Sequence, residues 1–276
     1  MDWELNIPKI LHVYWGGGVL YYLRFMTVKT FMKHNPDWEI RLYYPKFPIK
    51  EITWYGIEQK IEIEAKDFTQ ELMNLPIKKY PVDFRTLGLK NEMSEVHKAD
   101  FMRLELLRTA GGLWADMDIF FTKPMSSFYL NDPKYKDIET FYCDHNYGHS
   151  TGFLMGCRDN KFFNRLFQLS KTRFDKNLYQ SIGPRLFKQY FSKQHKINEY
   201  GASYNMSMDV VYSHDATYFP EILSQNKTKF TKESLGLHWY GGNPLWKDFI
   251  KETNGGLENL PDNVIGNLLK GEQNKK

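Results

Sequence analysis

Cysteine is scarce in this chain: two residues in 276, Cys143 and Cys157. They lack the clustered spacing of a thiolate metal site, and such sparse usage fits a reducing compartment in which no disulfide is expected. Long hydrophobic runs are missing as well. The most apolar early segment, residues 10–26, is interrupted by His12, three glycines and Arg24, which excludes a membrane span there. The opening MDWELNIPKI is acidic and polar where a secretory leader is basic and then apolar, so the expectation is a cytoplasmic protein without one. The sequons at Asn205 and Asn226 are then chance occurrences. Gly16, Gly17 and Gly18 lack the Gly-Lys-Ser/Thr ending of a phosphate loop and the spacing of a dinucleotide fingerprint. Charge of one sign is also modest. A net charge of +4 helps attract a phosphorylated substrate, but it is no nucleic-acid footprint, and no nucleic-acid partner is expected. With neither repeats nor low-complexity linkers, one domain over residues 1–276 is the simplest organisation, ending in a frayed tail at 271–276.

What is present is a core-forming composition, 42% hydrophobic and 16% aromatic. PKILHVYW reads as a buried strand running into a glycine loop, residues 20–34 as a helix stopped by Asn35-Pro36, and WEIRLYY as a second strand. A β-α-β opening predicts an α/β fold whose sheet is parallel at its start. Residues 49–87, divided by prolines, predict peripheral helices. A helix is predicted over 92–109, closed by Gly111-Gly112, and then a strand over 113–121. Short strands at 139–143 and 151–156, helices at 161–174 and 185–191, a last strand in LGLHWYGG and a short helix in NPLWKDFIK complete the reading.

The chemistry is concentrated in HKADFMRLELLRTAGGLWADMDIFF. Asp116 and Asp118 are one residue apart, and on an extended strand they share a face. Two adjacent carboxylates repel unless a cation sits between them, and a hard divalent ion, Mg²⁺ or Mn²⁺, suits oxygen ligands while leaving positions open for phosphate oxygens. The plain alternative is a solvated pair at a strand end. Asp100 and Arg103 share a helix face at i, i+3, as an ordinary ion pair or as a carboxylate for hydroxyls and a guanidinium for phosphate or sugar oxygens. YCDHNYGHSTGFLMG, with His145 and His149, reads as a loop because of Gly148 and Gly152, serving either an acceptor or plain turn chemistry. No catalytic nucleophile stands out; Asp144, Asp209 and Asp215 are carboxylates in loops.

KADFMRLELLRTAGGLWADMD resembles the signature of the glycosyltransferases with a DXD sugar-binding region, the family of yeast-type initiating mannosyltransferases and, more distantly, of the glucosylating domains of large clostridial toxins. IPKILHVYWGGG with HNPDWEIRLY is similar to the family's first strand-loop-strand, and LHWYGG to its C-terminal His-Trp element; the clear matches span the first 45 residues and 95–125. The resemblance implies a GT-A fold, with a single Rossmann-like nucleotide-binding sheet flanked by helices. Residues 1–125 would form the nucleotide-sugar half and 126–270 the acceptor side. It implies a UDP- or GDP-hexose donor, a glycan or other hydroxyl acceptor, Mn²⁺ or Mg²⁺, and transfer with retention. Residue by residue, Asp118 would ligate the metal and Asp116 would act through ribose or a metal-bound water. Asp100 and Arg103 would contact the transferred sugar, and Trp15, beside Val13 and Tyr14, would stack on the base, with Trp114 also at the donor. His238 would complete the metal shell; its plain alternative is a hydrogen-bonded histidine on a buried last strand.

A retaining glycosyltransferase is therefore the leading reading. A metal-dependent nucleotidyl- or phosphotransferase also uses paired aspartates but would need a Gly-Ser or Lys motif that the sequence lacks. A non-catalytic nucleotide-sugar or glycan-binding descendant is the third class, opposed by the retained Asp116, Asp118 and His238.

Overall fold

Five consecutive buried residues, ILHVY, make β1 (Ile10–Tyr14) the middle of the sheet rather than an edge. The computed structural model describes residues 6–16, 18–48, 65–129, 132–145, 148–214, 230–243 and 246–274. After β1 come α1 (Tyr22–His34), β2 (Glu39–Pro45), α2 (Thr69–Asn74), β3 (Lys78–Val82), α3 (Glu95–Thr109), β4 (Gly112–Ala115), β5 (Ile119–Phe121) and α4 (Ser126–Tyr129). Then follow β6 (Thr140–His145), β7 (Gly148–Gly156), α5 (Lys161–Arg173), α6 (Pro184–Tyr190), α7 (Gln194–Asn198), β8 (Ser203–Asn205), β9 (Gly236–His238), α8 (Trp246–Thr253) and α9 (Val264–Asn274).

Seven strands form one sheet in the order β3-β2-β1-β4-β7-β6-β8, and β5 pairs with β9 apart from it. β1 pairs in parallel with β2 and with β4, and β2 in parallel with β3, so the opening is the parallel α/β arrangement that β-α-β implied. β7 is antiparallel to both β4 and β6. Helices cover both faces. Leu11, Val13, Leu113 and Ala115 pack with α1, α8 and α9, whereas Tyr14 and Trp114 pack with Phe101, Leu104 and Leu107 of α3 and with Phe162 and Phe163 of α5. This layering is the α/β class with a single main sheet that the GT-A resemblance implied. No helix among the described residues is long and apolar enough to cross a membrane.

Three expectations are corrected. The strand predicted over 113–121 is two strands, because Asp116 N–H donates to Gly152 O (2.8 Å) and the chain then turns, sending β5 to pair with β9. The loop predicted in YCDHNYGHSTGFLMG is mostly the β6–β7 hairpin, whose alternating Phe141, Cys143, Phe153 and Met155 are buried; 146–147 lie outside the described residues. Between 65 and 87 a short α-helix and a 3-10 turn (Phe84–Leu87) flank an edge strand, where Pro81 is tolerated and Tyr80 stacks on Tyr43 with ring centroids 5.2 Å apart. The expected helices at 49–64, Gly17, Asp215 and Asn226 lie outside the described residues. α9, anchored by Ile265 and Leu269, runs to Asn274, and 275–276 lie outside the described residues. Both cysteines are buried free thiols, and burial pushes the Cys143 thiol up to about 12.

His12 ties β1 to the turn that feeds β4. Its Nε2 donates to Gly111 O (2.8 Å), which leaves Nδ1 to accept from the Tyr43 hydroxyl (3.2 Å). Gly111 itself requires glycine, with φ +66° and a Cβ position 2.6 Å from the backbone of Cys157 and Arg158. Burial lowers the His12 pKa from 6.5 to about 4, outweighing the Gly111 hydrogen bond. Between those values the unfolded chain holds a proton that the folded chain excludes. Stability is therefore full above pH 6.5 and falls as the pH drops toward 4, by roughly 3 kcal/mol from this residue. Urea unfolding of the wild type and His12→Gln across this range should show a shallower pH dependence in the variant; parallel curves would remove His12 as the cause.

Candidate active site

The strand order reverses around β1, whose neighbours are β2 on one side and β4 on the other. In an open α/β sheet the crevice beyond the carboxyl ends of such strands is where ligands bind. Here those ends carry Tyr14 and Trp15 from β1 and Asp116 from β4.

Asp116, Asp118 and His238 each offer a ligand atom, all within 4.8 Å of one another. The turn after β4 supplies the carboxylates and the β5–β9 pairing supplies the imidazole, since Ile119 lies opposite His238. Met117, between the carboxylates, is packed in the core. Asp118 is buried. Its Oδ2 accepts from Gly241 N–H (2.9 Å), its main-chain oxygen accepts from Trp239 N–H (2.9 Å), and its Oδ1 lies 3.1 Å from His238 Nε2 without hydrogen-bond alignment. Burial alone would raise its pKa; His238 beside it, the Arg24 charge and the Gly241 amide together hold it well below the usual carboxylate range.

Asp116 is the more open carboxylate. Its Oδ1 accepts from the Trp114 indole (2.7 Å) and from Arg103 Nη2 (3.1 Å). Arg103 reaches back along α3 to Asp100 (Nη1–Oδ1 3.2 Å), so the expected i, i+3 pair exists and is extended to the aspartate turn. Asp100 is fully enclosed, and burial pushes its carboxyl up to about 6 against the pull of Arg103. Asp100 Oδ2 and Arg103 Nε and Nη1 are buried without a hydrogen-bond partner among the described residues, which suits polar groups facing a hydroxylated ligand. Trp114, at 1% exposure, offers no free ring face; it lies under the Arg103 guanidinium (5.2 Å) and reaches the site through Asp116.

At the end of β1, Val13 is wholly in the core and leaves only its backbone for a ligand. The Tyr14 hydroxyl donates to Glu95 Oε2, whose other oxygen pairs with the enclosed Lys98 Nζ (2.7 Å). Trp15 is partly exposed, and its indole N–H donates to Gly18 O (3.1 Å). Neither Asp144 nor Asp209 belongs to the carboxylate–imidazole group.

The donor set fits a hard or borderline divalent ion. It holds two carboxylates and an imidazole, with Asp118 Oδ1 buried and lacking a hydrogen-bond partner among the described residues. The 3.1 Å between His238 Nε2 and Asp118 Oδ1 is the spacing of adjacent ligands around an octahedral ion, since donors about 2.2 Å from a centre and at right angles lie roughly 3.1 Å apart.

Several contributors escaped the sequence reading. Gly152 of β7 is one: a Cβ there would stand 2.9 Å from Asp116 Oδ2 and 3.2 Å from the Tyr212 hydroxyl. Gly183 is another, its Cβ position 3.0 Å from both Asp100 carboxylate oxygens. Arg24 and Gly241 act on Asp118. None follows a local spacing, and only the glycines following HWY carried any signal.

Removing Arg103 leaves Asp100 buried without its cation, which typically costs about 3–5 kcal/mol. Arg103→Met should lose roughly that in chemical denaturation. Asp100→Asn combined with Arg103→Met should recover most of the stability while activity stays lost. Recovery of activity with stability would show that the pair only holds the fold.

Residues 86–235 match the family model described as capsular polysaccharide synthesis protein, and residues 24–136 match glycosyltransferase sugar-binding region containing DXD motif. Curated proteins offer no match to this sequence. Among solved structures, the chain is similar to the PaToxG glycosyltransferase, with 17% identity over 71% of this chain and 74% of that one and a TM-score of 0.48. It is also similar to a glycosyltransferase involved in glycosylation of the major capsid of PBCV-1, with 14% identity, 89% and 100% coverage and a TM-score of 0.49. For glycosyltransferase GlyE of Streptococcus pneumoniae TIGR4 the values are 14%, 84% and 54%, with a TM-score of 0.46. With more than half of its 276 residues inside the first family model, and the aspartate turn inside both, the chain belongs to the capsular polysaccharide synthesis protein family and is a glycosyltransferase.

Proposed function

We propose that this glycosyltransferase is metal-dependent and moves a hexose from a UDP- or GDP-hexose to a hydroxyl of a glycan or other acceptor, with retention at the anomeric carbon. The observation that carries the metal dependence is the convergence of Asp116, Asp118 and His238 within 4.8 Å. Mn²⁺ or Mg²⁺ held there would supply Lewis-acid neutralisation of charge on the leaving diphosphate. Retention and the hexose rest on the resemblance of KADFMRLELLRTAGGLWADMD to the DXD family.

The chain's own residues account for the remaining work. Trp15 offers a π-face for the base. Arg103, fixed between Asp100 and Asp116, presents buried N–H groups to sugar or phosphate oxygens, and Asp100 accepts from sugar hydroxyls. The enclosed Asp100, Arg103 and Asp118 keep water from the donor side, where it would compete with the acceptor hydroxyl. In this reading residues 1–125 carry most of the donor side and 126–270 the acceptor side, with His238 crossing over from the latter.

Incubation with Mn²⁺ or Mg²⁺ and a panel of UDP- and GDP-hexoses, with assay of released nucleoside diphosphate, tests the proposal. Release should require the metal, disappear in EDTA, and fall roughly 100-fold or more in Asp118→Asn, which keeps the buried shape but lacks the charge. Undiminished release in EDTA would sink the metal role.

A further inference from the structure

Arg24 is placed against the rules of helix electrostatics. It is the third residue of α1, a 13-residue helix with no acidic residue in its first turn and no side-chain cap at Tyr21. The positive end of the helix dipole disfavours a cation there. The side chain nonetheless turns toward the site. Its guanidinium carbon lies 5.5 Å from the Trp15 ring and 5.6 Å from the Trp239 ring, between the end of β1 and the segment that clamps Asp118.

Two further observations define that location. A Cβ on Gly241 would stand 3.1 Å from Arg24 Nη2, so the absent side chain at 241 leaves room for the guanidinium beside the amide that holds Asp118. The Arg24 charge is also among the influences that lower the Asp118 pKa. Arg24 therefore sits between the partly exposed indole at one end and the carboxylate–imidazole group at the other, where Asp118 Oδ1 is buried and lacks a hydrogen-bond partner among the described residues. A nucleoside diphosphate with its base on Trp15 and its terminal phosphate toward Asp118 and His238 has its inner phosphate between them.

We propose that Arg24 binds the diphosphate of the donor and of the leaving nucleoside diphosphate, as a second cation beside Arg103 approaching from the opposite face of the sheet. A diphosphate there adds a charge-assisted contact to the guanidinium and is favoured by the positive end of the helix dipole. The planar fork suits phosphate oxygens. This inference rests on the donor site proposed above. The competing account is that Arg24 only offsets the buried Asp118 charge and has no ligand.

The test is calorimetric binding of UDP, GDP and inorganic pyrophosphate in saturating Mn²⁺ to the wild type, Arg24→Gln and Arg24→Lys. Loss of a charge-assisted contact predicts roughly 10–100-fold weaker binding of pyrophosphate and of whichever nucleotide the wild type takes in Arg24→Gln. Arg24→Lys should recover part of it, and Mn²⁺ binding without phosphate should not fall. Equal affinities in wild type and Arg24→Gln overturn the inference and leave the donor site standing. So does a loss confined to the nucleotides, because Arg24 would then act through the Trp15 ring. Wild-type protein that binds neither nucleotide with Mn²⁺ overturns the donor site itself. If Arg24→Gln does not fold, phenylglyoxal modification of the wild type decides: pyrophosphate with Mn²⁺ should protect the Arg24 peptide, and equal modification with and without it refutes the contact.

Discussion

A carboxylate buried at the end of a turn needs compensation, and the way Asp118 obtains it shapes this molecule. The side chain comes from the middle of the chain, and its compensating groups come from both ends: the Gly241 amide and His238 beside Oδ1 from the far end, and the Arg24 charge from near the start. An uncompensated buried charge costs several kcal/mol, so the β5–β9 pairing that brings the far-end groups to it is part of the charge's stability as well as of the site. β5 in turn is fixed to α1 through Phe121 N–H donating to the Thr30 hydroxyl (3.0 Å) and through Phe121 packing on Phe31, with ring centroids 4.8 Å apart. Fold and site share these contacts.

On the other side of the turn the same problem has a different answer. Asp116 stays partly in solvent and is held by an indole and a guanidinium. Asp100 is enclosed and balanced by one arginine only, which is why its carboxyl rises while that of Asp118 falls. Three carboxylates within one short stretch thus have three environments, set by which element approaches each. The close approaches of Gly152 and Gly183 show how tightly β7 and the start of α6 close over them.

What the sequence determined by itself was the local periodicity and the residue chemistry. A buried first strand, a helix after a glycine loop, parallel pairing, and a helix delivering Asp100 and Arg103 to a Gly-Gly turn all follow from patterns within about 20 residues, because hydrophobic repeat and glycine or proline punctuation act at that range. The DXD resemblance rests on the same short-range order. The tertiary structure alone decided that Asp116 and Asp118 lie on a turn rather than one strand, since the ladder to Gly152 ends where β5 finds β9. It also decided that the KKYPV stretch is an edge strand, because its pairing partner β2 lies more than 30 residues upstream. And it brought His238, Gly241 and Arg24 to Asp118, a convergence that no spacing encodes because it is produced by packing across the whole chain.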